Sequence, residues 1–151
     1  MSITESVKLY YPILLGLFLA YIAYQQHITN RNKLRLDLYN KRFEVYKDTL
    51  RFYQELVDGE LLKETHLSFI ASKNASYHLF ANDREVFSLL DKIHSESFKI
   101  TGFKNLGNEM DGVPEAKHEM YEASLSVISW LNKTMPELRD MMSKHLDQRT
   151  L

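Results

Sequence analysis

Two carboxylate-x-x-histidine pairs, Asp91…His94 and Glu115…His118, are the residues whose types and spacing come nearest to a reactive site. On a helix, groups three residues apart share a face. Four-helix carboxylate proteins use this spacing to bind two metal ions, with Glu-x-x-His from two helices and a Glu from each of two others. The angles oppose that chemistry here. At about 100° per residue, Glu115 and His118 fall roughly opposite the apolar face of their helix, and Asp91 lies off its own. Only His94 sits at a boundary, and no glutamate of the first helix is plainly inward. These pairs are therefore read as solvated surface pairs. His66 and His78, near apolar residues of a second helix, are read as packed or half-exposed side chains. The chain has no phosphate-binding glycine loop, no Gly-x-Ser-x-Gly and no His-Glu-x-x-His. No serine or threonine has a recognisable base beside it. No catalytic residue, metal or other cofactor is assigned.

The elements that must carry these residues are helical. Five glycines and three prolines in 151 residues are sparse punctuation, and no period-two alternation bounded by hairpin turns is present. A formal net charge of -1 gives no basic character pointing to nucleic acid. The absence of cysteine excludes disulfides and cysteine-based zinc sites.

The chain is organised around one stretch, Leu9 to Asp58, which has no Gly or Pro between Gly16 and Gly59. Its first part, Leu9 to Tyr24, carries no charge. As a helix it covers about 24 Å, somewhat short of a hydrocarbon core of about 30 Å. Tyr10, Tyr11, Tyr21 and Tyr24 at the interfaces, with local bilayer thinning, make up the difference. A cleaved signal peptide fits less well, because Lys8 is opposed by Glu5 and bulky residues stand at the cleavage positions. A buried core helix is the other alternative. The expectation is a short external N-terminus over 1–8, a transmembrane helix over 9–26, a basic neck over 27–35 and a cytoplasmic helical bundle over 36–151.

Arg31, Lys33, Arg35, Lys41 and Arg42 follow the apolar stretch, which places the N-terminus outside and the bundle in the cytoplasm. The same cations are candidates for holding anionic lipid headgroups. Within the apolar stretch, Gly16, Ala20 and Ala23 share a face, and small residues four apart let two membrane helices approach closely.

Beyond the neck, Leu36, Tyr39, Phe43, Tyr46, Leu50, Tyr53 and Val57 alternate spacings of three and four, the pattern of helices packed side by side, and Leu34, Leu38, Val45, Phe52 and Leu56 widen that face. Gly59 is expected to close this helix. A second helix to Phe80 is expected to bury Leu62, Leu67, Ile70, Tyr77 and Phe80. Asn82 with Glu85 is expected to open a third helix to about Thr101, with Val86, Leu89, Leu90, Ile93, Ser97 and Ile100 inward. A loop follows over 102–113. Pro114 begins a fourth helix, with Ala116, Met120, Ala123, Val127, Trp130 and Leu131 inward. A short fifth helix starts at Thr134, Pro136 and Glu137. The fold class is thus all-α, an antiparallel bundle of four or five helices behind a membrane helix.

Lys33-Leu-Arg-Leu-Asp-Leu-Tyr-Asn-Lys-Arg-Phe-Glu-Val-Tyr46 behind an apolar helix, with Ala75-Ser-Tyr-His-Leu-Phe80 further on, resembles a loose group of uncharacterised small bacterial membrane-anchored proteins. The resemblance implies a bacterial inner-membrane setting and carries no activity or catalytic residue. The function expected is a membrane-tethered, non-enzymatic interaction or sensor module. It would place a cytoplasmic protein partner, or its own homo-oligomer, at the bilayer. The alternatives are a membrane-disrupting effector that oligomerises through its cytoplasmic domain, and a membrane-bound enzyme with an unrecognised acid or histidine site.

Overall fold

The computed structural model describes residues 3–106 and 112–146, with side chains from residue 10 onward. The described residues form four helices: α1 (Ile3–Asp58), α2 (Lys63–Leu79), α3 (Arg84–Leu106) and α4 (Pro114–Leu146). The chain is all-α. It divides into two compact units after Asp37, and α1 contributes to both.

In the first unit most of the described apolar residues are bare, with Ile22 and Ile28 half-buried. Tyr11 is 65% exposed, Leu14 64%, Leu17 65% and Phe18 59%, and Gly16, Ala20 and Ala23 are exposed as well. Among the described residues, no helix is long and apolar enough to cross a membrane.

The second unit is a helical bundle with one hydrophobic core. That core contains Val45, Phe52 and Leu56 of α1, Phe69 of α2 with Phe80 just beyond it, Val86, Leu90, Ile93 and Ile100 of α3, and Val127, Leu131, Met135, Leu138 and Met142 of α4. Within it Phe52 of α1 and Phe69 of α2 stack on each other.

The helix ends explain the turns. Gly59 has φ 82, and the amide of Glu60 donates to the carbonyl of Glu55 at 3.0 Å while that of Gly59 donates to the same oxygen at 2.9 Å. This closure joins the 6→1 bond of a Schellman motif to the 5→1 bond of an αL cap, and both need a left-handed residue that glycine adopts without a Cβ clash. The Glu55 carboxylate then accepts from the Leu62 amide at 3.1 Å and the Thr65 hydroxyl at 2.9 Å. One residue therefore ends α1 and satisfies the start of α2, whose own cap position, Leu62, has no side-chain oxygen to offer.

Three boundaries differ from expectation. The cap of α3 is Asp83 and not Asn82, because the Glu85 amide donates to Asp83 Oδ1 at 3.2 Å after a tight turn from Phe80. Helix α3 runs through Gly102 to Leu106; residues 107–111 of the expected loop lie outside the described residues. The break expected at Pro136 is absent, and α4 is one helix with Pro136 inside it. Proline there removes one backbone bond and crowds the carbonyl four residues earlier. Burial of Thr134, Met135, Leu138 and Met142 on both sides of it outweighs that loss and keeps the helix continuous.

The inward seam of α1 is also corrected. Leu36 is 53% exposed, Phe43 45% and Val57 36%, while Tyr39, Tyr46, Leu50 and Tyr53 are half-buried. The buried line is Val45, Thr49, Phe52 and Leu56, extended by half-buried Leu38 and Arg42. It keeps the same three-four rhythm but lies one residue away, about 100° around the helix. On α2 the shift is larger: Thr65, Phe69, Ser72 and Ser76 point inward, and Leu62, Leu67 and Tyr77 are exposed. The inward hydroxyls are bonded close to home. Thr49 donates to the Val45 carbonyl at 2.7 Å, Ser76 to that of Lys73 at 2.6 Å, Ser97 to that of His94 at 2.6 Å and Ser124 to that of Tyr121 at 2.8 Å. A satisfied small hydroxyl costs little to bury. Thus the apolar face of α1 narrows to Leu38, Val45, Phe52 and Leu56 with Thr49 among them, and on α2 three hydroxyls take the inward places that apolarity had assigned to Leu62, Leu67 and Tyr77.

Candidate functional site

The second unit gathers its unusual side chains at two places. The first lies on α2 and α3. The α3 seam, Val86, Leu90, Ile93, Ser97 and Ile100, turns His94 to the edge of the core. On α2, burial of Thr65 and Phe69 puts His66 at the corresponding edge. The two imidazoles meet with their Nε2 atoms 3.1 Å apart. Around them stand aromatic rings: Phe52 at 5.6 Å from His66, Phe69 at 6.0 Å from His94 and Phe98 at 5.1 Å from His94, centroid to centroid.

One turn before His94 on α3, Asp91 accepts from Lys73 Nζ at 2.6 Å. The Lys73 bond holds the Asp91 carboxyl below its ordinary pKa. The His94 imidazole is pushed down, first by loss of solvent and then by the positive charge of Lys73 and the neighbouring His66. Neutral His94 is therefore the favoured form. With both rings neutral, one Nε2 carries the hydrogen and the other receives it. Among the described residues, no third His, Cys, Asp or Glu joins these two in a group suited to a metal ion.

The second place is the end of the bundle where α2 and α4 finish and α3 begins. Arg42 of α1 donates from Nε to the Leu79 carbonyl at 3.0 Å and from Nη1 to the His145 carbonyl at 2.9 Å. Its guanidinium also lies 5.6 Å from the centre of the Phe80 ring. Burial lowers the pKa of Arg42 from its ordinary value. His145 in turn meets Asp83 Oδ2 through Nε2 at 2.9 Å, and this bond leads the causes that hold the Asp83 carboxyl below its ordinary value. A cleft of about 480 Å³ opens here, lined by Leu38, Arg42, His78, Asn82, Lys144 and His145 among others. Cations at helix C-termini oppose the negative ends of the helix dipoles, so Arg42 ties two helix ends together.

The placement of the expected site residues divides accordingly. Arg31, Lys33 and Lys41 are exposed, and Arg35 is half-buried. Arg42 of the same set is half-buried and turns Nε and Nη1 to two helix ends. His118 and Glu115 are exposed, as a solvated pair should be. His94 is not a surface residue paired with Asp91, since its partner is His66 and Asp91 belongs to Lys73. His78 is exposed and stands edge-on to Tyr77. The pairing of His66 with His94 was missed because it requires the true seam of α2: each histidine follows an inward residue, Thr65 or Ile93, by one position.

On α1 in this unit Phe43 is exposed, between half-buried Tyr39 and Tyr46. Tyr39 and Phe43 stack with centroids 6.2 Å apart, and Tyr46 follows at 6.4 Å from Phe43.

No family model matches the chain, and no curated protein or solved structure matches it.

Proposed function

We propose that the chain is a membrane-tethered, non-enzymatic interaction module whose α-helical bundle is held at the inner face of a bacterial inner membrane. The observation that carries this reading is the exposure of large apolar side chains on every side of α1 between Tyr10 and Tyr24. A helix that is apolar all round belongs in lipid or inside a protein core. Tyr10 to Tyr24 cover about 22 Å at the α-helical rise, against a hydrocarbon core of about 30 Å. Bilayer thinning and tyrosines seated at the headgroups accommodate that difference. Arg31, Lys33, Arg35 and Lys41 then stand on the cytoplasmic side, where they meet anionic headgroups. Exposed Phe43, between the half-buried rings of Tyr39 and Tyr46, gives the bundle an aromatic edge suited to a protein partner or a second copy.

Expression in a bacterial host followed by alkaline extraction of membranes tests the reading. The intact chain is expected to stay in the membrane fraction, with a reporter fused after Leu151 on the cytoplasmic side. Leu17→Arg combined with Phe18→Arg should release it, at a cost of about 2.5–3.5 kcal/mol per arginine if these sites are central. Quantitative extraction of the unaltered chain at high pH would remove the anchor from the proposal.

A further inference from the structure

The His66–His94 pair has no task in the anchoring role, and its geometry suggests one. We infer that these two imidazoles form a two-histidine site for a borderline transition-metal ion, with Cu²⁺ preferred over Zn²⁺. Imidazole nitrogens ligate such ions at about 2.0–2.1 Å. Two ligands at that distance, separated at the metal by a right angle or a tetrahedral angle, stand about 2.9–3.4 Å apart. His66 Nε2 and His94 Nε2 stand 3.1 Å apart.

The two ligands come from different helices, so packing of α2 on α3 fixes their spacing. Phe52, Phe69 and Phe98 surround the rings and leave each Nε2 facing its counterpart. Both histidines are half-buried, which leaves solvent a route to the pair. Asp91 is kept out of the ligand set by Lys73, at 2.6 Å. With no third His, Cys, Asp or Glu in the group among the described residues, water supplies the remaining positions. Such a site is open. The order Zn²⁺ below Cu²⁺ follows from the general affinity series for nitrogen ligands.

The proton inventory balances without a co-reactant. In the metal-free neutral pair one ring holds its hydrogen on Nε2, between the rings, and the other on Nδ1. Metal entry requires both Nε2 lone pairs, so the first ring transfers its hydrogen to Nδ1 through solvent. Two neutral imidazoles then bind one ion, and no net proton is released. Where one ring is an imidazolium, binding releases one proton, and affinity falls with acidification.

The test is a titration of the intact chain, in detergent micelles, with Cu²⁺ and separately with Zn²⁺. It is followed by calorimetry and, for copper, by paramagnetic resonance. One ion per chain is expected, with hyperfine structure from two nitrogens. His66→Gln and His94→Gln should each weaken binding at least about tenfold, while His78→Gln and His118→Gln leave it unchanged. Thermal melts with a chelator present establish that each variant folds. If one variant fails to fold, the other and the nitrogen count in the unaltered protein still decide the matter. Binding that survives both substitutions, no binding by the unaltered chain, or coupling to a single nitrogen would each overturn the site.

Discussion

Phe52 of α1 and Phe69 of α2 stack face to face, with centroids 4.1 Å apart and planes 9° from parallel. Both rings are fully buried, with 0% exposure. This contact joins α1 to the rest of the bundle, and a cavity there has no solvent to fill it cheaply. Phe52→Ala should cost about 3–5 kcal/mol, the usual loss on emptying an aromatic core site. Phe43→Ala, at an exposed position of α1, should cost well under half as much. Chemical denaturation of both variants checks the pair, and equal losses would return the seam to Phe43.

That contrast also marks what the sequence conveys. The order of helices, the start of α4 at Pro114 and the closure at Gly59 were legible because each rests on local chemistry: a fixed φ, a missing N–H or a left-handed residue. The α3 seam was legible because Val86, Leu90, Ile93 and Ile100 are both apolar and inward. Helices α1 and α2 misled. Thr49, Thr65, Ser72 and Ser76 face the core: Thr49 and Ser76 donate to carbonyls one turn back, while Thr65 and Ser72 donate to the Glu55 and Asp48 carboxylates, which become neighbours only after folding. Apolarity then pointed to Leu36, Phe43 and Leu67, which are exposed. A misplaced seam turns every side chain by about 100° per residue of error, and on α2 that hid the meeting of His66 with His94. The role of Arg42 was hidden for a different reason. Its acceptors, the Leu79 and His145 carbonyls, are remote in sequence, and a cation beside an apolar stretch reads first as a topology signal.

Arg42 gives a second prediction. Its guanidinium reaches two carbonyls from one planar group, which a lysine ammonium on a flexible stem does not reproduce. Arg42→Lys should lower stability by about 1–3 kcal/mol, the range for losing a charge-assisted bond. Arg42→Met should lose at least as much, since both helix-end carbonyls lose their donor. Arg35→Met, one of the outer cations, should change stability by about 0.5 kcal/mol or less. Thermal melts of the variants distinguish these outcomes, and an unaffected Arg42→Met would return this residue to the surface set.

Acidification should weaken the bundle through His94. Its imidazole is depressed in the folded chain by desolvation, by Lys73 and by His66, against a smaller opposing effect of Asp91. The unfolded chain takes up a proton near the ordinary value of about 6.5, while the folded chain resists it. The unfolded state therefore binds more protons just below that pH, and stability falls as pH drops. The contribution is fully present above about pH 6.5 and declines from there toward the lower folded value. His94→Gln should flatten the slope of stability against pH between about 6.5 and 5.5. Denaturation midpoints measured across that interval check it. An unchanged slope would assign the dependence to another histidine.

The last prediction concerns Gly16. A Cβ built at Gly16 meets nothing within 4 Å, so the chain itself gives no reason for glycine at this position. The residue shares a helix face with Ala20 and Ala23, and all three are exposed. If two anchors pair along this face, the small side chains let the backbones approach, and a bulky residue holds them apart. Gly16→Leu adds apolar surface, so membrane retention should be kept or strengthened while self-association falls. Because no intramolecular neighbour is disturbed, loss of the oligomer would report an intermolecular contact and not a misfolded helix. Crosslinking in membranes, scored against Leu17→Ile as a volume-conserving control, reads the outcome. An oligomer unchanged by Gly16→Leu would limit this helix to anchoring. Phe43, exposed beside the half-buried rings of Tyr39 and Tyr46, would then be the next residue to substitute.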